Sequence, residues 1–101
     1  MDRKLVWTER ASGDIEAIVR YIERRDPGAA ARIGFGIYDR AQILFTQPEA
    51  GTILDELRDG GWRKLIFLRW KIVYTIRDEN IIIGRVWPSA MGEADLQTPL
   101  D

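Results

Sequence analysis

Two stretches with helical spacing of apolar residues follow a short apolar run near the start of the chain. The run Lys4–Thr8 ends in a good N-cap residue, which predicts a strand that leads directly into a helix. Between Glu9 and Arg25 the apolar positions form one continuous helical stripe. Its members are Ala11, Ile15, Ile18, Val19 and Ile22. The opposite face, which we expect to be solvated, carries Arg10, Asp14, Arg20 and Glu23.

A second helix is predicted from Pro27 to about Gln47. Asp26 can cap this helix, and Pro27 fits its first position, where no N–H is needed. The predicted inward residues are Ala30, Ile33, Ile37, Ala41 and Leu44. Because the connection between the two helices is short, we expect an antiparallel helical hairpin. Gly34 and Gly36 interrupt this helix, which indicates either close packing or a docking notch for a partner.

Three strands are predicted in succession at residues Trp62–Leu68, Trp70–Arg77 and Ile81–Trp87, the last two joined by a tight "DEN" turn. The preceding "TILDEL" segment is either a helical turn or a short extended piece. The predicted fold is therefore α+β: an N-terminal strand, then an antiparallel helical hairpin packed on a mainly antiparallel sheet, which a C-terminal three-stranded meander completes. Residues 1–101 form one domain by length, with an acidic tail at 88–101.

Residues 68–77 alternate between two rows, and the second row raises a functional question. The first row is Leu68, Trp70, Ile72, Tyr74 and Ile76, and the second is Arg69, Lys71, Val73, Thr75 and Arg77. We interpret the second row as the solvated face of the sheet. If it is a functional surface, an acidic protein segment is a better partner for it than RNA. Gly84 predicts a bulge or a close backbone approach in the last strand.

Composition narrows the chemistry. The chain has no cysteine and no histidine, so the commonest general base and the commonest zinc ligands are missing, and we expect no metal and no cofactor. Residues 57–87 hold seven Lys and Arg against three Asp and Glu, whereas residues 88–101 hold three acidic residues and no basic one. No apolar run approaches the length of a membrane span, so we expect no membrane contact and a cytoplasmic location.

Four segments together resemble the ParE/RelE superfamily of bacterial type II toxins. They are "VWTERASGDIEAIVRYIE", "DPGAAARIGFGIYDRAQIL", "TQPEAG" and "WKIVYTIRDENIIIGRVW", and they cover roughly residues 4–88. The helical hairpin and the final strands are more similar to the ParE branch. The resemblance implies a toxin that a neighbouring antitoxin neutralises. In ParE the implied activity is inhibition of DNA gyrase, and in RelE it is cleavage of mRNA on the ribosome.

The residues favour the binding activity over the nuclease. RNA cleavage through the 2′-hydroxyl needs a base, an acid and cations around the phosphate. Lys71 occupies the position of the family's central sheet arginine but lacks the planar guanidinium fork. The segment after the last strand, "PSAMGEADLQTPLD", contains no arginine, lysine, histidine or tyrosine. We therefore name no catalytic residue.

The most favoured function is thus a ParE-like toxin that binds gyrase and pairs with a ParD-like antitoxin of the ribbon-helix-helix type. The toxin would contact DNA only through this antitoxin. The predicted antitoxin-binding residues are Phe35, Tyr38, Phe45, Arg69 and Lys71. The predicted target-binding residues are Arg63, Lys64, Arg85 and Trp87. Arg85 is alternatively an edge-strand charge that discourages aggregation, and Trp87 alternatively closes the core. The other candidate functions are a RelE-like ribosome-dependent endoribonuclease and a toxin relic that serves as a scaffold for its antitoxin.

Overall fold

A mixed sheet with two helices on one face is formed by residues 3–54 and 60–90, which are the residues that the computed structural model describes. Within these ranges the sheet has five strands in the order β1-β5-β4-β3-β2; β1 is parallel to β5, and every other pairing is antiparallel. The elements are β1 Leu5–Trp7, α1 Glu9–Glu23, α2 Pro27–Ala41, a 3₁₀ turn Gln42–Phe45, β2 Thr52–Ile53, β3 Arg63–Phe67, β4 Trp70–Arg77 and β5 Asn80–Pro88. The predicted α+β architecture is confirmed.

Both helices begin at the caps that the sequence predicts. Thr8 Oγ1 accepts a hydrogen bond from Ala11 N at 3.2 Å, and Asp26 Oδ1 accepts one from Ala29 N at 3.1 Å. The second helix was predicted to reach Gln47, but its α-helical part ends at Ala41. The chain continues as a 3₁₀ turn at Gln42–Phe45, and Pro48 disfavours helical geometry at Gln47, the predicted last residue. No helix in the described ranges is long and apolar enough to cross a bilayer.

The main core lies between the helical hairpin and the sheet. Its buried members include the predicted inward residues Ala11, Ile15, Ile37, Ala41 and Leu44, together with Trp70, Ile72, Tyr74, Ile81 and Ile83 from the sheet. A Cβ on Gly34 would lie 3.1 Å from Val19 Cγ2, so the two helices approach each other closely at this glycine. Close packing, the first interpretation of this glycine, is confirmed.

Gly84 is a β-bulge, as the sequence indicated. Tyr74 pairs with Ile83 while Val73 pairs with Arg85, which leaves Gly84 as an extra residue in β5. Ile83 lies in the helix-side core, and beyond the bulge Val86 joins the same core. Arg85 and Trp87 are thereby turned to the opposite face of the sheet.

That opposite face is buried at its centre, so its interpretation as a solvated surface is wrong. Val73 is fully buried and Lys71 is only 6% exposed. Leu54 and Trp62, joined by a hydrogen bond from Leu54 N to Trp62 O at 3.0 Å, pack with Trp87 around Val73 on this face. Period-two alternation identifies the two faces but not whether a distant loop covers the more polar one.

Polar members of the second row bind the two glycines that precede Trp62. Thr75 Oγ1 donates a hydrogen bond to Gly60 O at 2.9 Å and lies 3.1 Å from Gly61 O. Arg77 donates to Gly60 O at 3.0 Å and to Thr75 Oγ1 at 2.6 Å. These side chains satisfy carbonyl groups of the loop that would otherwise lack partners.

A paired aspartate and arginine join α1 to β5. Arg85 Nε lies 2.8 Å from Asp14 Oδ2, and a second guanidinium nitrogen lies 2.9 Å from Oδ1, so the pair is bidentate. Asp14 Oδ2 also accepts the backbone N–H of Val86 at 2.9 Å. Asp14 was expected to be solvated, but its side chain is only 10% exposed. No strand of the described chain pairs with β5 beyond Ile83, and the Asp14 carboxylate accepts a strand N–H there instead.

The hydroxyl of Tyr74 fixes the loop before β2. It donates to Pro48 O at 2.8 Å and accepts the N–H of Gly51 at 2.8 Å, while Arg63 donates to Gly51 O at 2.8 Å. Burial raises the pKa of Tyr74 above its ordinary value of 10.0, and the hydrogen bond from Gly51 opposes part of this shift. This phenol is therefore a structural group of the fold.

Both β-turns of the meander contain residues in the left-handed region. Leu68 between β3 and β4 has φ +53°, and Asp78 and Glu79 between β4 and β5 have φ +51° and +69°. The "DEN" turn predicted from the sequence is thus a two-residue connection. A residue with a Cβ costs roughly 1–2 kcal/mol in this conformation relative to glycine, so both turns are strained.

We expect Asp14→Ala to lower the free energy of unfolding by about 3 kcal/mol, because it leaves a buried guanidinium without its carboxylate and a strand N–H without its acceptor. Urea unfolding measures the change. The matched control is Glu16→Ala, since Glu16 is exposed on the same helix. Equal effects of the two substitutions would contradict the structural importance of the pair.

We expect Tyr74→Phe to lower the free energy of unfolding by about 1–3 kcal/mol at neutral pH, because the buried Gly51 N–H loses its acceptor. The raised pKa means that the folded state holds the phenolic proton more tightly than the unfolded state. The wild-type protein therefore keeps this contribution below pH 10.0 and loses it as pH rises through the raised pKa, whereas the phenylalanine variant shows no such loss from this position. Tyr21→Phe, at an exposed tyrosine, is the control for urea unfolding across this pH range.

Candidate partner-binding surface

The outer face of α2 presents aromatic side chains to solvent. The helix buries Ile37 and Ala41 against the sheet, and helical geometry then directs Phe35 and Tyr38 away from the core. Phe35 is 76% exposed and Tyr38 is 40% exposed. Around them lies an open groove of about 320 Å³, the α2 groove, which is lined by Phe35, Gly36, Tyr38, Asp39 and Gln42.

The position of the α2 groove is fixed by contacts beneath it. A Cβ on Gly36 would overlap the ring of Phe67, so glycine is the residue that lets α2 lie directly on β3. Arg40 Nε donates to Ile66 O at 3.0 Å and ties the same part of the helix to the same strand. On the other side, the rings of Tyr38 and Trp7 lie 4.6 Å apart at 59°. The groove is therefore held by the sheet at both margins.

Phe45 extends the aromatic surface beyond the α2 groove. It lies seven residues, or about two helical turns, after Tyr38, in the 3₁₀ turn, and it is partly exposed. Its carbonyl accepts a hydrogen bond from Arg3 at 2.7 Å, and Arg3 also donates to Glu79 O at 2.9 Å. All three aromatic residues proposed for antitoxin binding are exposed, and Phe35 and Tyr38 but not Phe45 line the α2 groove.

The two basic residues proposed for the same surface lie elsewhere. Arg69 is exposed in the β3–β4 turn, with its guanidinium 5.9 Å from the centroid of the Trp70 ring. Lys71 lies on the face of the sheet opposite the helices, is almost completely buried, and is already engaged in an interaction. The five residues therefore do not form one continuous surface.

Three of the four residues proposed for target binding are used within the fold. Arg63 donates to the carbonyls of Glu49 and Gly51, and Arg85, 3% exposed, is paired with Asp14 and lies 4.4 Å from the centroid of the Trp87 ring. Trp87 packs beside Val73, where it closes the second core cluster. Lys64 is partly exposed on the same face.

Two exposed apolar residues were not predicted from the sequence, one in the β3–β4 turn and one at the end of β3. Leu68 is 65% exposed and Ile66 is 43% exposed. Sequence spacing grouped Leu68 with the row of Trp70 and Ile72, but the chain turns at residues 68–69 and the alternation does not continue through a turn. The signal that was available is the break at Arg69, the single residue between the two predicted strands. The "DEL" part of "TILDEL", residues 55–57, and most of the acidic tail lie outside the described residues.

The chemistry of this surface suits association. In residues 3–54 and 60–90 no group of three or more acidic side chains comes together as the ligands of a cation would. The α2 groove and the β3–β4 turn instead offer exposed aromatic and aliphatic area with arginines at its margin. Clustered apolar area of this kind is typical of a surface that another protein covers.

Solved toxin structures share this architecture. The chromosomal ParDE toxin–antitoxin system of Pseudomonas aeruginosa matches with a TM-score of 0.75 and 20% identity, covering 85% of this chain and 95% of that one. A YoeB/ParE toxin from Agrobacterium tumefaciens matches with a TM-score of 0.60 and 23% identity, over 84% and 96%. The toxin–antitoxin complex RelBE2 from Mycobacterium tuberculosis matches with a TM-score of 0.56 and 20% identity, over 87% and 99%. At these identities the likeness shows the fold.

The amino-acid sequence itself identifies the family. No curated protein matches it significantly. The family described as the ParE toxin of the type II toxin–antitoxin system parDE, however, matches residues 5–92. This range includes the helical hairpin with its aromatic outer face and the whole sheet. The chain belongs to the ParE toxin family of type II toxin–antitoxin systems.

Proposed function

We propose that this toxin acts by binding and inhibiting DNA gyrase, without catalysing a reaction, and that a cognate ParD-like antitoxin neutralises it. Gyrase and the chromosome are cytoplasmic, so the toxin would act there. Membership of the ParE family supports the binding mode of action. An antitoxin of the ribbon-helix-helix type would bring the complex to DNA, and the toxin itself would touch nucleic acid only indirectly.

The burial of Lys71 is the observation that carries this proposal. The central cation of the sheet is the residue that an RNA-cleaving relative would direct at phosphate. In this chain its side chain is almost fully removed from solvent and engaged in an interaction within the fold. Arg85 is likewise committed to Asp14. A ribonuclease requires cations that can reach the phosphate as charge develops in the transition state, and these two cannot reach it without rearrangement of the sheet.

The antitoxin is proposed to place an apolar helix face along the α2 groove. Phe35, Tyr38 and Phe45 supply aromatic area at spacings that match the anchors of an amphipathic helix. An extended arm of the antitoxin can also pair with the outer edge of β1, because β1 is a terminal strand of the described sheet. Lys71 is not part of this surface, and Arg69 lies beyond its end.

A ribosome-dependent endoribonuclease is the alternative function, since the RelBE2 complex is among the solved structures that share this fold. The two functions predict opposite outcomes in two assays. We expect the purified toxin to inhibit supercoiling by DNA gyrase and to leave mRNA on translating ribosomes uncut. Cleavage of translated mRNA that Lys71→Ala abolishes, with supercoiling unaffected, would contradict the proposal and favour the nuclease.

We expect Phe35→Ala to weaken antitoxin binding by about tenfold or more, because a largely exposed aromatic residue that becomes buried in a complex is typical of a binding hot spot. Isothermal titration calorimetry with the antitoxin encoded beside the toxin measures the affinity. Tyr21→Ala is the matched control, since Tyr21 is an exposed aromatic residue on α1 outside the groove. If both variants bind as tightly as the wild-type toxin, the α2 groove is not the antitoxin site.

A further inference from the structure

Leu68 combines strong exposure with a strained backbone. Its side chain is 65% exposed, and its φ of +53° lies in the left-handed region, where glycine and asparagine are the residues with little strain. Folding alone would favour one of those two residues at this position, because neither the backbone geometry nor burial of a core calls for leucine. A large apolar side chain held outward at such a position needs another cause.

The β3–β4 turn that carries Leu68 is firmly attached on both sides. After the turn, the carbonyl of Arg69 accepts hydrogen bonds from both the N–H and the hydroxyl of Ser89, each at 2.8 Å. Before it, the carbonyl of Ile66 accepts from Arg40 Nε at 3.0 Å. Phe67 is held beneath Gly36. Leu68 is therefore presented in a preorganised conformation, so the turn loses little conformational entropy when a partner binds it.

The surroundings of Leu68 indicate the chemistry of its partner. Ile66 adds exposed apolar area, while Arg69 is exposed beside it and Arg40 places a second guanidinium at the Ile66 carbonyl. Complementarity then calls for an apolar pocket with acidic residues at its rim. A pocket of this kind is found in a folded protein, whereas an antitoxin helix or extended arm presents only a surface. The target is therefore a better partner for Leu68 than the antitoxin.

We propose that Leu68 is the residue that anchors the toxin to its protein target, by entering an apolar pocket with an acidic rim. This inference rests on the proposed function, because it assigns the target-binding surface of a toxin that acts by association. It places that surface at the β3–β4 turn, next to the α2 groove but separate from it. Arg69 and Arg40 flank the pocket and pair with its acidic residues.

Leu68→Gly tests the proposal, because it removes the side chain and at the same time relieves the backbone strain. We expect its thermal midpoint to equal or exceed that of the wild-type toxin. We expect its affinity for the antitoxin to stay within about twofold of wild type. Its half-maximal inhibitory concentration in the gyrase supercoiling assay should rise by about tenfold or more, and its expression should no longer arrest growth.

Two further variants complete the experiment. Leu68→Asn keeps a side chain that tolerates the left-handed region but is polar, and it should lose inhibition in the same way, so the test does not depend on the folding of one variant. Ile53→Ala, at an exposed apolar residue that pairs with Arg63 at the far end of β3, should inhibit as the wild type does.

Each remaining outcome has a defined meaning. Wild-type inhibition and growth arrest by both Leu68 variants would overturn the proposal, and so would a loss of antitoxin affinity with inhibition intact. If the wild-type toxin self-associates, and the Leu68 variants lose this self-association but still inhibit, the partner of Leu68 is a second copy of the toxin. That result would also overturn the proposal. If the wild-type toxin arrests growth but does not inhibit gyrase, only the gyrase assignment fails, and growth arrest by the Leu68 variants then decides the inference. If the wild-type toxin neither arrests growth nor inhibits gyrase, both the proposed function and this inference are wrong.

Discussion

The ion pair between Asp14 and Arg85 is the interaction on which the arrangement of helices and sheet depends. It lies where β1 ends and the chain turns into α1, so β5 continues there without a neighbouring strand on that side within the described chain. The Asp14 carboxylate accepts the Val86 N–H in place of a strand carbonyl and binds the guanidinium beside it. Burial of both charges is costly, so the contribution of the pair is chiefly geometric, in fixing where α1 crosses the sheet. The position of α2 follows, since Gly34 seats it closely against Val19.

The bulge at Gly84 extends this constraint to the other side of the sheet. By inserting one residue, it keeps Val86 in the helix-side core while it directs Arg85 and Trp87 to the opposite face. There Trp87 packs beside Val73 with Leu54 and Trp62, while Thr75 and Arg77 bind the carbonyl of Gly60. Several basic and polar side chains of the sheet are thus engaged in contacts within the fold. The surfaces that remain for partners are mainly aromatic and aliphatic, with arginine at their margins.

Sequence periodicity predicted the strands and helices well because each element buries one regular face, as the stripe from Ala11 to Ile22 illustrates. It also indicated that Phe35 and Tyr38 lie off the inward stripe, and both are exposed. It failed for Lys71 and Thr75, since local alternation contains no information about a loop that returns from elsewhere in the chain. Arg85 carried a signal that was available, because it interrupts the apolar run from Ile81 to Trp87, but nothing in the local sequence marked Asp14 as its partner. Leu68 was misgrouped because a turn breaks the period on which the prediction relied.

The contact between Gly36 and Phe67 has a consequence for how such a toxin can diverge. Any side chain larger than hydrogen at position 36 displaces a ring that belongs to the sheet, so the bottom of the α2 groove is constrained by folding. Phe35, Asp39 and Gln42 border the same groove from exposed positions and carry no such constraint. With the antitoxin in the α2 groove, as proposed above, changes at these three exposed positions would alter antitoxin preference while the depth and position of the groove stay the same.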